Sequence, residues 1–222
     1  MTQTLSQSTS KVARPAWLFL VALVAVVAFV VTANATIVAD SAGEMTAAQV
    51  EDRALQWIVM AVLWMLSAAL GAVAFMAIAA RLGGSRPVTV LARVGKVILL
   101  AYVAAQAGVV WIDDAEVLGD SSWLALAILL SLLGWWLIVV AAILTCRRLF
   151  QSRVAPRTAL VIGVLTALYV VLEVAVYLPA LIGEQELHET MALPSIVPPV
   201  LWAILGGVLL RKQAWTRAQV PG

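Results

Sequence analysis

Leu55 to Ala80 is a run of 26 residues without one Asp, Glu, Lys or Arg. As an α-helix rising 1.5 Å per residue it would be ~39 Å long, enough to cross the ~30 Å hydrocarbon core of a bilayer. Five other stretches reach the 18 residues such a crossing needs. The six expected spans are about 17–38, 55–80, 88–111, 122–146, 158–182 and 193–210. The chain is 64% hydrophobic with a mean hydropathy of +1.03, and 12% of its residues are charged. A soluble domain carries roughly 25% charged residues. The expected fold is therefore all-α, a polytopic integral membrane protein of six transmembrane helices. Residues 16–212 would form a single six-helix domain, with a polar, disordered cytosolic tail at 1–15 and a second tail at 213–222.

The charges outside the spans separate by sign. Lys11 and Arg14 precede the first span. Arg81 and Arg86 lie between the second and third, Arg147, Arg148, Arg153 and Arg157 between the fourth and fifth, and Arg211, Lys212 and Arg217 after the sixth. None of these segments holds an acid. The alternate loops carry Asp40, Glu44, Glu51 and Asp52, then Asp113, Asp114, Glu116 and Asp120, then Glu184, Glu186 and Glu189, with Arg53 their one cation. Short cytoplasmic loops retain Lys and Arg, so both termini are expected inside, which requires an even number of spans. A cleaved signal peptide is the rival reading of the first span, since "ANA" at 33–35 suits cleavage; its apolar run is long for a signal sequence, and an uncleaved first span is expected. Eleven arginines against three lysines point to a GC-rich bacterial genome and hence a bacterial inner membrane.

Three ionisable residues fall inside spans: Arg93, Lys96 and Glu173. A cation at a helix centre costs roughly 2.5 to 3.5 kcal/mol on insertion scales, so each needs a reason. Arg93, ~10 Å from the inner edge, can snorkel back to the headgroups. Lys96 lies ~15 Å deep, and Glu173 lies at a similar ~15 Å from the outer edge. An ion pair locking the third span to the fifth is the expectation from depth. Thr166, Tyr169, Glu173 and Tyr177 recur at helical spacing and form one polar stripe. Tyr102 and Gln106 share a face of the third span, and an offset of 67 residues carries them onto Tyr169 and Glu173. The same offset takes "RL" at 81–82 onto 148–149, a faint sign of a parallel repeat. Lys96, Glu173, Tyr102, Gln106, Tyr169 and Tyr177 are the candidate intramembrane site. Arg93, Arg147 and Arg148 are the candidate contacts to lipid headgroups.

The remaining features exclude more than they assign. Trp17, Trp111, Trp123 and Trp215 suit interfacial anchoring, while Trp57, Trp64, Trp135, Trp136 and Trp202 read as packing. Ser67 with Gly71, and Ala68 with Ala72, suit close helix contact. Lone Cys146 has no partner for an internal disulfide, and His188 sits in a solvated acidic loop, so no metal site is expected. No phosphate loop, H-E-x-x-H, C-x-x-C or second histidine for haem is present, and no cofactor is expected. The basic loops lack a nucleic-acid motif. Their expected partner is the lipid bilayer, through anionic headgroups at the cytoplasmic face, with a membrane protein partner or a homo-oligomer also open.

The acidic first external loop, the basic turn "ARLGGSRP" leading to Arg93, and the run "RRLFQSRVAPRTALVIGV" together resemble a family of small bacterial six-helix membrane proteins known only as a domain of unknown function. The resemblance implies the six-helix fold and a bacterial membrane, and brings no activity with it. Two readings follow. In one, a polar interior formed by the third and fifth spans binds or passes a small solute or ion. In the other, the chain is a non-catalytic structural or accessory component whose buried ion pair is architectural. An enzyme ranks third, because one buried carboxylate without histidine or cysteine offers little for acid, base or nucleophilic work.

Overall fold

The computed structural model describes residues 14–37, 47–112, 121–181 and 196–218, with side-chain surroundings for 15–33, 48–112, 121–175 and 196–212. Among the described residues the chain is all-α. A turn of 3₁₀ helix at Arg14–Ala16 leads into six long helices: α1 (Trp17–Ile37), α2 (Ala54–Arg81), α3 (Arg86–Trp111), α4 (Ser122–Gln151), α5 (Pro156–Leu181) and α6 (Val197–Ala218). A six-residue helix, Ala47–Asp52, precedes α2 and buries Val50 completely. Four of the helices, α2 to α5, are long and apolar enough to cross a membrane.

Each expected span became a helix, but the helix ends follow backbone chemistry rather than hydropathy. α4 runs past Cys146 to Gln151, because Leu149 is buried and the residues around it are good helix formers. It stops where Arg153 and Ala155 adopt positive φ angles of 58° and 53°, and Pro156 then opens α5 at a position that needs no N–H partner. α6 likewise continues to Ala218, into the stretch expected to be a tail. Between α2 and α3, Gly83 and Gly84 take φ of 94° and 80°, a left-handed step that glycine makes without strain. The N–H of Gly84 returns to the Ala79 carbonyl at 3.0 Å, closing the end of α2.

Successive helices pack side by side, and α6 closes the ring against α1; α2 also reaches across to α4 and α6. A close backbone approach joins α3 to α4: a Cβ on Gly95 would lie 2.8 Å from the Gly134 carbonyl oxygen, and one on Gly134 would lie 3.0 Å from that of Gly95. The small residues expected on α2 do serve contact. Ser67 donates to the Ala22 carbonyl at 2.9 Å, Ala68 and Ala72 are fully buried, and Gly71 lies under the Trp202 ring.

Down the middle runs a chain of rings. Phe29 packs on Trp64, Trp64 on Trp135 and Trp135 on Trp202, with centroids 5.3, 4.8 and 5.4 Å apart. Trp202 then meets Phe75 edge-on at 4.9 Å. Offset and edge-on contacts of this kind add ~0.5 to 1.5 kcal/mol per pair beyond burial. The outward faces carry exposed Val and Leu, among them Val97, Leu100, Val171 and Leu172. Such a surface suits lipid rather than water.

Candidate functional site

Glu173 is the one acid that falls within an expected span, and its side chain is 5% exposed. Both oxygens accept hydrogen bonds from neutral donors. The Tyr169 hydroxyl, one turn earlier on α5, donates to Oε1 at 2.9 Å, and the Trp136 indole on α4 donates to Oε2 at 3.0 Å. The Trp135 N–H approaches the same carboxylate without reaching hydrogen-bond geometry. Adjacent tryptophans therefore serve two purposes: Trp135 lies in the ring chain, and Trp136 turns to α5.

The expected pairing of Glu173 with Lys96 is not what the helices build. Among the described residues no ion pair joins the two side chains. The reason is packing order: α4 stands between α3 and α5 and packs against both. Equal depth brings two side chains together only when their helices adjoin. Lys96 is half-buried on α3, and Arg93 is exposed there, as a snorkelling side chain should be. Arg147 is exposed and Arg148 half-buried near the end of α4, beside the exposed Arg153 and Arg157.

Tyr102 and Gln106 are both buried on α3, with the Gln106 amide within reach of the Tyr102 hydroxyl. Gln106 Oε1 accepts the Trp57 indole N–H from α2 at 2.6 Å. The two places related by the 67-residue offset are thus built alike. Each has a tyrosine four residues before an acceptor, and each acceptor takes an indole proton from the preceding long helix. The difference is chemical, an amide at 106 and a carboxyl at 173.

A third indole bond, Trp64 to the Ser131 hydroxyl at 3.0 Å, ties α2 to α4. Three of the deep tryptophans read as packing from sequence, Trp57, Trp64 and Trp136, are therefore donors as well. One signal could have found this. An indole N–H inside a membrane needs an acceptor, and the spans hold few, with Gln106, Ser131 and Glu173 among them.

Three buried polar atoms find no hydrogen-bond partner among the described residues: Trp135 Nε1, Thr166 Oγ1 and Trp202 Nε1. Thr166 is unusual in this. Thr32 and Thr145 return their hydroxyls to the carbonyl four residues earlier, at 2.9 and 2.8 Å. The Thr166 hydroxyl is 1% exposed on the residue scale and stays free of that bond, on the same stripe as Tyr169 and Glu173. Tyr177 continues the stripe in sequence, but its side chain lies outside the described residues, as do His188 and most of the acidic loop residues.

The arrangement supplies one carboxyl, neutral donors and aromatic walls. Among the described residues no group of three His, Cys, Asp or Glu could hold a metal ion. No protein-family model, curated protein or solved structure matches this chain.

Proposed function

We propose that this chain is a bacterial inner-membrane protein of six spans, both termini cytoplasmic, whose interior binds a small cation, the proton included, at Glu173. The observation that carries the reading is a buried carboxyl with neutral donors and no counter-charge among the described residues. A carboxylate placed for architecture alone is poorly chosen here, because an unpaired ion in a low-dielectric interior costs several kcal/mol. Gln106 sharpens the point. It accepts an indole proton on the other hairpin with no charge at all, so the carboxyl at 173 adds ionisation to a contact that an amide can make. The working centre in this reading lies between α4, α5 and α6, with α3 supporting it through α4.

A lipophilic carbodiimide tests the reading, since it couples to protonated carboxyls inside membranes. Intact mass and peptide mapping should find one adduct on Glu173, and either a small cation or alkaline pH should protect against it. Labelling that no cation and no pH change alters would refute the reading.

At the basic end, exposed Arg86, Arg147, Arg153, Arg157 and Arg211 suit anionic headgroups, each worth about 1 kcal/mol near a charged surface. Reading the chain as a structural or accessory component rests on a different observation, the indole bonds that tie α2 to α3, α2 to α4 and α4 to α5. That reading predicts that Glu173→Gln leaves every cellular phenotype intact.

A further inference from the structure

The cations inside α3 take no part in the reading of Glu173, and they set a problem of their own. α3 is one of the four helices long and apolar enough to cross a membrane, yet Arg86, Thr89, Arg93 and Lys96 recur along it at offsets of 3, 4 and 3. That spacing keeps all four to one side of the helix. Arg86 and Arg93 are exposed, and Thr89 and Lys96 are half-buried. The buried side of α3 is turned elsewhere, with Gly95 and Leu99 against Gly134 of α4. Among the described residues no acid pairs with Arg86, Arg93 or Lys96.

Lys96 lies ten residues past Arg86, ~15 Å of helix and half the depth of a ~30 Å hydrocarbon core. Snorkelling relieves Arg93 and brings less relief to Lys96. Two cations three residues apart on a helix also repel each other. An anion held between them removes both penalties.

The surroundings decide which anion. A second copy of this chain has no carboxylate to offer at that depth, because Glu173 is 5% exposed and both its oxygens already accept hydrogen bonds. An acidic helix from another protein would need small residues to close in on. At the level of the cations the exposed neighbours are Val90, Val94, Val97 and Leu100, while Ala92 and Gly95 are buried. Cations interleaved with exposed aliphatic side chains match an amphiphile, with phosphate on the guanidinium and ammonium groups and acyl chains along the valines and Leu100. Three cations spread over ~15 Å are more than one phosphate can reach.

We propose that this side of α3 is a site for an anionic phospholipid with two phosphates. One phosphate is held by Arg86 and Arg93 with the Thr89 hydroxyl donating, and the other by Arg93 and Lys96. The arginines at the turns attract any anionic headgroup, whereas this site selects by phosphate number. It makes no use of Glu173, so it stands or falls apart from the cation reading.

Native mass spectrometry of the full chain reads the selection, after release from phosphatidylcholine nanodiscs that also hold diphosphatidylglycerol and phosphatidylglycerol at equal total charge. The unaltered chain should retain the two-phosphate lipid severalfold over the one-phosphate lipid. Lys96→Met and Arg93→Met should each bring that ratio to parity, and Lys96→Arg should keep it. Replacing Arg147, Arg153 and Arg157 by alanine should lower retention of both lipids and leave their ratio alone. Arg93 is exposed, so Arg93→Met carries the test even where Lys96→Met fails to fold. Equal retention by the unaltered chain overturns the proposal, as does a preference that survives Arg93→Met or one that falls with the turn arginines instead. If an equimolar second protein, in place of lipid, accompanies the chain from its own membrane and is lost in Arg93→Met, the occupant is an acidic helix and the lipid site is overturned.

Discussion

Glu173 and Gln106 make the same contact with different chemistry, and substitutions at each should show it. Trp57→Phe deletes the donor at 2.6 Å and leaves the buried Gln106 oxygen unpaired, at a cost of about 1 to 3 kcal/mol. The check is thermal or denaturant unfolding in detergent, where the shift should exceed that of an exposed control such as Leu100→Ala. Because Lys96 does not pair with Glu173, Lys96→Met and Glu173→Gln should be additive within about 0.5 kcal/mol in a double-mutant cycle. Trp136→Phe with Glu173→Gln should depart from additivity, since those side chains touch at 3.0 Å. Coupling between 96 and 173 larger than between 136 and 173 would contradict the packing order.

Among elements, the decisive contact is the α3 and α4 crossing at Gly95 and Gly134. Gly134→Val would drive side-chain atoms into Leu99 Cγ, already 2.8 Å from an added Cβ, and into the Gly95 carbonyl. Overpacking of this kind costs typically 1 to 3 kcal/mol, and here the obstacle includes backbone that cannot rotate away. Gly207 on α6 is the matched control, for an added Cβ there meets nothing within 4 Å. Gly207→Ala should hold or raise stability by up to about 1 kcal/mol, through helix propensity. Melting curves of the two variants, side by side, decide it. The same crossing marks where sequence reading runs out. Helix positions were legible because apolar runs of spanning length admit one backbone solution in lipid. The polar stripe of Thr166, Tyr169 and Glu173 was legible from spacing alone. Which helix the stripe faces was not, because Trp135 and Trp136 are adjacent in sequence and equally apolar, and only their rotation on α4 separates the ring chain from the Glu173 contact. The pairing drawn from depth failed for the same reason: depth is a one-dimensional property, and neighbourhood in a bundle is not.

At the scale of the whole molecule, arginines flank the two described turns that join long helices, Arg81 and Arg86 around that from α2 to α3, and Arg147, Arg148, Arg153 and Arg157 around that from α4 to α5. The chain turns back between α2 and α3 and between α4 and α5, and Gly206 near the middle of α6 lies against the Ala16 carbonyl at the start of the first helix. Replacing Arg147, Arg153 and Arg157 by alanine should reduce retained anionic lipid in native mass spectrometry, by up to about 3 kcal/mol of summed attraction, without moving the melting temperature, because all three are exposed. The membrane orientation itself is the central claim, and reporters for it must avoid structural positions. Ser121 is unsuitable, being 3% exposed and accepting the Leu124 N–H at 2.9 Å as the cap of α4. Ser122 and Ser152, at opposite ends of the same helix, are exposed. In a Cys146→Ala background, single cysteines at these two sites are treated with a membrane-impermeant thiol reagent on intact cells. The account predicts labelling of Ser122→Cys alone, with Ser152→Cys reacting only after lysis; labelling of Ser152→Cys in intact cells, or equal labelling of both, would contradict it.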